Sequence, residues 1–354
     1  MLEGMSKQIF TDDDLYDAWL NSGTLRGAIR DLGLPQSGGH MSRMKRVIET
    51  RRNHTYFTPP DVPDIVRDPK TIIRMAAEHQ KRVQAHFHAK QHSVIPVKID
   101  GPFGVTIIPD QHLDNPGTNI ALAFEHVELI AKTEGLFAIE VGDSIDNFLI
   151  GKHAEARAEH VITHSESWGL TEYYHKIVGP KLLAALSGNH LDWTKLYGGV
   201  DHLQALLRLN DIHALYDADE LFFEIESPNK YKWKYGMRHF FQGASLYNAA
   251  HSIARYAMSH AYRGEAVIVA GHKHVAGYNL IESRGQTVHC VQVGSYKNRD
   301  YDDYCRTKGF LAQHAFLCPV MIHEPATGNT TFLKEVEEAV PYLKFLRSKK
   351  SSVQ

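Results

Sequence analysis

Five short segments carry acids, histidines and one asparagine at spacings that suit cation binding and proton transfer. They are Asp110-Gln111-His112, Gly142-Asp143 followed by Asp146, Gly188-Asn189-His190, the single His239, and Gly271-His272-Lys273-His274. Asp110 and His112 lie two apart. In an extended segment they point the same way and can grip one cation as an oxygen–nitrogen pair, although a capping aspartate would explain Asp110 equally well. A carboxylate at Asp143 can be shared by two cations and so offset their mutual repulsion. A glycine–aspartate pair after a strand is also an ordinary turn. Asp146 is placed to orient a neighbouring base. Asn189 offers a neutral oxygen to a hard divalent ion; a left-handed turn accounts for Gly188-Asn189 but leaves His190 unexplained. His272 and His274 can address one metal each, and Gly271 clears space beside them.

The elements that must hold these groups are legible as short apolar runs. Val105–Ile108, Phe137–Val141, Leu182–Leu186, Leu221–Ile225, Val267–Ala270 and Val288–Val293 suit buried strands. Helical patterns at Ile120–Thr133, Trp168–Val178 and Leu246–Ala261 alternate with them, which points to an α/β architecture. Most of the chemistry-bearing segments follow directly on a strand, where open α/β sheets build their sites.

Ahead of this region the sequence changes character. Leu15, Trp19 and Leu20 are read as one face of a first helix, Thr24 as the cap of a second, and Ser37 as the cap of a basic third helix carrying Arg43, Lys45, Arg46, Arg51 and Arg52. That layout matches a helix-turn-helix, and Ala18–Pro35 resembles the helix-turn-helix of phage-type terminase and transposase proteins. A docking module that touches no DNA has the same outline, and the acidic Asp12, Asp13, Asp14 and Asp17 offset the basic helix. Thr58–Pro63 reads as a linker, and Pro69–His92 as a polar helix whose His86, His88 and His92 form a solvated face rather than a ligand set.

The 354 residues, 43% hydrophobic and 23% charged, suffice for a large core and more than one domain. Lys and Arg number 39 against 41 acidic residues, which excludes a global electrostatic footprint for nucleic acid or membrane but not a local patch. No apolar stretch is long enough to span a bilayer. The polar start lacks a signal-peptide core. Three cysteines without zinc-type spacing fit a reducing, cytoplasmic setting. The 23 histidines are the unusual count and keep metal chemistry in view.

Taken in order, these segments resemble the calcineurin-like metallophosphoesterase superfamily, whose pattern is D-x-H, G-D, G-N-H-[DE], a lone histidine and G-H-x-H. The resemblance covers roughly Val105 to Ser295. Two departures stand out. Leu191 follows His190, with Asp192 one place later than the usual acid, and the lone histidine, normally followed by glycine, falls in Arg238-His239-Phe240-Phe241-Gln242-Gly243. Alignment on the glycine puts Gln242 in the ligand place; alignment on chemistry favours His239, because imidazole binds a transition metal better than an amide. His251 is an outside candidate. The stretch from Arg238 to Ser245, with Gly294-Ser295-Tyr296-Lys297, resembles a phage-encoded branch in which helix-turn-helix segments also occur.

The resemblance implies a helix-flanked β-sandwich (αββα) over residues 96–340. It would be preceded by a helix-turn-helix-like domain (1–56) and a linker with helix (57–95), and followed by a C-terminal tail (341–354). It implies one ion held by Asp110, His112, Asp143 and His274, and a second by Asp143, Asn189, His239 and His272. Phosphodiester bonds would then be hydrolysed by a water shared between the ions, with His190, oriented by Asp146, serving the leaving oxygen. Manganese suits the mixed ligand set better than magnesium, with iron and zinc as alternatives. Lys273, Tyr296, Lys297 and Arg299 are expected to hold substrate phosphates. A DNA nuclease is the leading expectation; a phosphatase or small-nucleotide phosphodiesterase, and an inactive DNA-binding or scaffolding protein, are the alternatives.

Overall fold

The computed structural model describes residues 10–52, 67–91, 93–149, 154–245, 247–301, 306–307 and 316–351. The chain divides into two compact units, Met1–Glu78 and His79–Gln354. The expected linker at Thr58–Pro63 lies outside the described residues, as does His92.

In the first unit, α1 (Asp12–Ser22) opens on a capping box in which Thr11 and Asp14 satisfy each other's backbone amides. Thr24 caps α2 (Leu25–Asp31) through the Gly27 amide at 3.1 Å, and α3 (Gly38–Arg52) follows. Leu15, Ala28, Ile29, Met44, Val47 and Ile48 close one small core. Leu20, read as a member of the buried face, is 57% exposed; five positions beyond Leu15 it is rotated roughly 140° round the helix. A long polar helix, α4 (Pro69–Gln91), comes next, and on it His86 and His88 are exposed.

The second unit is α/β with two mixed six-stranded sheets. Its strands are β1 (Ser93–Pro96), β2 (Phe103–Ile108), β3 (Leu136–Glu140), β4 (Leu182–Leu186), β5 (Leu215–Asp217), β6 (Glu220–Glu226), β7 (Lys232–Arg238), β8 (Val267–Ala270), β9 (Gly277–Ser283), β10 (Gln286–Gln292), β11 (Val320–Glu324) and β12 (Asn329–Leu333). One sheet runs β12-β11-β2-β3-β4-β5, with β2 to β5 parallel. The other runs β1-β6-β7-β8-β10-β9, with β7, β8 and β10 parallel.

Alternation along the strands sorts the side chains. Phe103, Val105 and Ile107 from β2 meet Leu221, Phe223 and Ile225 from β6 and Trp233, Tyr235 and Met237 from β7 in one core between the sheets. The opposite face of the first sheet packs on α5 (Ile120–Lys132), α7 (His164–Val178) and α11 (Val336–Ser351). The outer face of the second packs on α10 (His251–Ala257). Shorter helices α6 (Ala154–Ala158), α8 (Asn189–Gly198) and α9 (His202–Leu209) lie among the connections. Of the helix expected over Leu246–Ala261, the described residues form only the seven-residue α10, entered from a turn over Asn248–Ala250; Leu246 lies outside the described residues. The tail expected from residue 341 is instead part of α11, anchored by the fully buried Ala339 and Leu343. None of the described helices is long and apolar enough to cross a membrane.

Candidate metal centre

The carboxyl ends of β2, β3, β4, β7 and β8 deliver the chemistry-bearing segments to one place. Backbone bonds lace the ends together: His112 N–H to Asp143 O at 3.0 Å, Asp143 N–H to Ser187 O at 3.0 Å, and Gly271 N–H to His239 O at 3.2 Å. Ser295, just past β10, ties the two sheets by donating its hydroxyl to Asp110 O at 2.8 Å. Side chains leaving these ends take unusual backbone conformations. His112, Asp143, His272 and His274 all have positive φ, between 46° and 70°. Such left-handed residues cost of order 1–3 kcal/mol each and persist where surrounding structure imposes them.

The motif glycines explain how so many groups fit. Gly142 has φ of 116°, and a Cβ there would stand 2.8 Å from Gly188 Cα and 2.9 Å from His239 Nδ1. A Cβ on Gly271 would overlap Asp110 Oδ1. Any side chain at either position would displace a ligand-bearing loop.

Two of the four groups of potential ligands among the described residues consist wholly of expected ligands, Asp110 with His112 and His274, and Asp143 with His239 and His272; the others are His112 with Asp146 and His190, and Asp114 with Asp146 and His160, and within each the donor atoms lie within 4.8 Å of one another. In the first, His112 turns Nδ1 to the Asp146 carboxylate at 2.7 Å. Its Nε2 therefore faces His274 Nε2 at 3.0 Å, with His274 Nε2 3.4 Å from Asp110 Oδ2. The other Asp110 oxygen, Oδ1, is buried without a hydrogen-bond partner. Burial holds His112 down to about 4 and His274 down to about 3, so both imidazoles are neutral and present lone pairs. Burial likewise pushes Asp110 up to about 6.

In the second group, His239 must donate from Nδ1, because its partner at 2.8 Å is the Val141 carbonyl. Its Nε2 then lies 3.0 Å from both Asp143 Oδ2 and Asn189 Oδ1, and 3.2 Å from His272 Nδ1. His239 Nε2, Asp143 Oδ2, Asn189 Oδ1 and His272 Nδ1 thus converge on one point, where a proton or a cation can join them. Burial alone would lower His239, but the Asp143 carboxylate overrides it and raises His239 to about 9. Asp143 responds in kind: burial opposes its charge, yet His239 and His190 hold it well below the usual carboxylate range. A mixed set of carboxylate, amide oxygen and imidazole fits a divalent metal ion. Buried Asp and His groups close enough to hold a metal ion are thus present in the fold.

Asp143 also accepts the His190 amide on Oδ1 at 3.0 Å and so caps α8, which has no side-chain cap of its own. His190 donates from Nδ1 to the Asp146 carbonyl at 2.7 Å, leaving Nε2 4.0 Å from Asp143 Oδ2. Asp146 does adjoin His190, but through its backbone; its carboxylate belongs to His112. The rest of that carboxylate is taken by Asn115 Nδ2 at 2.6 Å, Lys297 Nζ at 3.3 Å and His160 Nε2 at 3.3 Å. Burial opposes a charge on His160, yet Asp114 and Asp146 together raise it to about 9. Asp114, Asn115 and His160 escaped sequence reasoning. The alternation Asp110-x-His112-x-Asp114 is the available signal for Asp114; nothing local marks Asn115 or His160.

Placement of the remaining expected residues is mixed. Gln242 is exposed while His239 lies in the cluster. His251 opens α10 and joins neither group. Lys273 turns Nζ to Gly243 O at 2.6 Å and Ser252 Oγ at 2.7 Å. Lys297 is buried against Asp146, and the Tyr296 hydroxyl pairs with His126 Nδ1 at 2.9 Å in the core. The polar ends of these three are engaged within the protein. The side chain of Arg299 lies outside the described residues.

No protein-family model matches the chain, and no curated protein matches it.

Proposed function

We propose that this chain is a two-metal phosphoesterase of the calcineurin-like type, hydrolysing phosphodiester bonds in nucleic acid, with DNA the favoured substrate. The observation that carries this reading is the convergence at His239 Nε2, where a carboxylate, an amide oxygen and a second imidazole meet a ring nitrogen whose direction is set by the Nδ1–H bond to the Val141 carbonyl. Beside it stands the second buried group of Asp110, His112 and His274. Asp143, between His239 and His190, is the carboxylate suited to serve both.

In this reading, Asp110, His112, Asp143 and His274 hold one ion, and Asp143, Asn189, His239 and His272 the other. The mixed oxygen and nitrogen donors suit manganese or iron better than magnesium; manganese is the favoured ion, with iron and zinc as alternatives. When bound, such a pair supplies Lewis acidity to a phosphoryl oxygen and acidifies a nearby water. The protein residues do the rest. Asp146 O fixes the His190 ring, so that Nε2 can carry a proton to the leaving oxygen. Asp146 Oδ1 fixes the tautomer of His112. The left-handed backbone at four of the ligands holds the donors in place before substrate arrives.

The DNA preference has a separate support, the three-helix first unit, read as a helix-turn-helix. Two arginines of α3 are occupied there: Arg43 pairs with Asp12 at 2.7 Å, and Arg51 pairs with Asp13. Lys45, Arg46 and Arg52 lie on exposed positions of α3, with Lys45 3.8 Å from Glu49 and Arg52 over the Trp19 ring at 5.1 Å.

The test is hydrolysis of bis-p-nitrophenyl phosphate with manganese. Wild type is expected to turn over, whereas Asp143→Asn and His190→Ala fall by at least a hundredfold, within the usual range for general acid–base groups. Wild type no faster than either variant with any divalent ion would overturn the reading. A panel of single- and double-stranded DNA, RNA, cyclic nucleotides and phosphomonoesters separates nuclease from phosphatase.

A further inference from the structure

Two carboxylates outside the expected ligand set, Asp114 and Asp146, are buried side by side. Asp114 follows the β2 segment that carries Asp110 and His112, and Asp146 follows the β3 segment that carries Asp143. Asp114 accepts the Asp146 amide on Oδ1 at 2.5 Å, which ties the two turns together. Like charges this close in a dry site are costly unless a cation stands between them. His160 stands there. Its Nδ1 lies 3.5 Å from Asp114 Oδ2 and its Nε2 3.3 Å from Asp146 Oδ2, with the side chain 1% exposed. It belongs to neither turn, coming instead from just before the Thr163 cap of α7. These three residues could by their spacing hold an ion, but the geometry suits a charged ring better. Each carboxylate meets a different ring nitrogen, and one ion can take only one of them. Asn115 Nδ2 already meets the same Asp146 oxygen at 2.6 Å. Burial opposes a charge on the ring, yet the two carboxylates raise it to about 9. The buried Phe148 ring, 5.4 Å away, helps to keep water from these pairs.

We propose that His160 is a positioning residue: lying between Asp114 and Asp146, it fixes the Asp146 carboxylate so that His112 keeps Nε2 open to a metal ion. The ion in that statement rests on the two-metal reading; the brace does not. The contacts run in one line. His160 and Asn115 meet Asp146 Oδ2, and Oδ1 then meets His112 Nδ1 at 2.7 Å. A carboxylate that turns loses this bond, and His112 can then place its proton on Nε2, the atom a metal would need. Asn115 and Lys297 still hold Asp146 when His160 is replaced, so the expected loss of metal affinity is about tenfold, the low end for groups that orient a ligating histidine.

The test uses the full chain and begins without metal. In nitrogen NMR spectra of the wild type at neutral pH, His160, assigned through its contact with the Phe148 ring, should carry protons on both nitrogens, and His112 on Nδ1 alone. His160→Gln should add a second His112 signal with the proton on Nε2, and should bind manganese about tenfold more weakly by calorimetric titration. If the effect runs through Asp146, the double variant with Asp146→Asn binds no more weakly than Asp146→Asn itself; a merely structural role gives losses that add. A neutral His160, an unchanged His112 signal, wild-type manganese affinity in His160→Gln, or additive losses each overturn the brace and leave the two-metal reading standing. A wild type that binds no divalent ion removes that reading, and the His112 signal still decides the brace. Should His160→Gln lose its native circular dichroism, the wild-type spectrum decides: a neutral His160, or His112 protonated on Nε2, overturns the proposal, and the doubly protonated ring beside an Nδ1-protonated His112 upholds it.

Discussion

Asp146 joins more of the centre than any of the expected ligands. Its carboxylate meets His112, Asn115, Lys297 and His160, and its carbonyl meets His190. Groups that orient a ligating histidine usually contribute 10–100-fold to metal affinity. Asp146→Asn is therefore expected to bind manganese about 10–100-fold more weakly, with its circular dichroism unchanged; calorimetric titration checks this, and wild-type affinity would remove Asp146 from the account. At this scale the sequence was informative about ligand type and poor about partners. The seven candidate ligands from Asp110 to His274 were visible as short motifs, because a metal cage needs particular side chains at strand ends. The choice of His239 over Gln242 followed from donor chemistry. Position after a strand does not tell which way a side chain turns: Lys297 is drawn to Asp146 and Tyr296 to His126.

Among the elements, β3 and α7 are joined by a buried charged pair just behind the centre. His175 Nε2 lies 2.8 Å from Glu140 Oε2, and Ser144 donates to Glu140 Oε1 at 2.8 Å. Burial opposes both charges, yet each partner overrides it, lowering Glu140 from its ordinary 4.5 and raising His175 from its ordinary 6.5. The depressed glutamate contributes stability above 4.5 that is lost as pH falls through its folded value. The raised histidine contributes stability below 6.5 that is lost as pH rises through its folded value. Both contributions are complete between pH 4.5 and 6.5. Removing one partner of such a pair costs about 3–5 kcal/mol. The urea midpoint difference between wild type and Glu140→Gln is thus expected to be largest in that window and to narrow on both sides; a difference independent of pH contradicts the pairing. The continuous apolar strands β2, β3, β4 and β8 were legible, being buried on both faces. Strand β7 was not: Lys232, Lys234 and Gly236 interrupt its apolar run, although Trp233, Tyr235 and Met237 form its inner face. The short α10 and the long α11 show the same limit, since helix ends depend on local turns and core anchoring.

For the molecule as a whole, the two compact units divide the proposed work. Every proposed metal ligand lies in the second, and the candidate DNA-contacting helices α1 to α3 lie in the first. If the first unit binds duplex DNA through its basic residues, a gel shift should weaken steeply with salt and vanish on deletion of residues 1–56; a shift that survives the deletion contradicts that role. A ligand that binds only the folded state also stabilises it, by about 2.7 kcal/mol at a hundred times its dissociation constant. Manganese should therefore raise the melting temperature of the wild-type chain, and His239→Ala should lose most of that rise. The most direct test of the central claim is anomalous diffraction at the manganese edge from crystals of the wild-type chain grown with manganese. The account predicts two peaks about 3.5–4 Å apart, one among Asp110, His112 and His274 and one among Asn189, His239 and His272, with Asp143 between them. No peak at these residues, or a single peak that Asp143 does not touch, would contradict it.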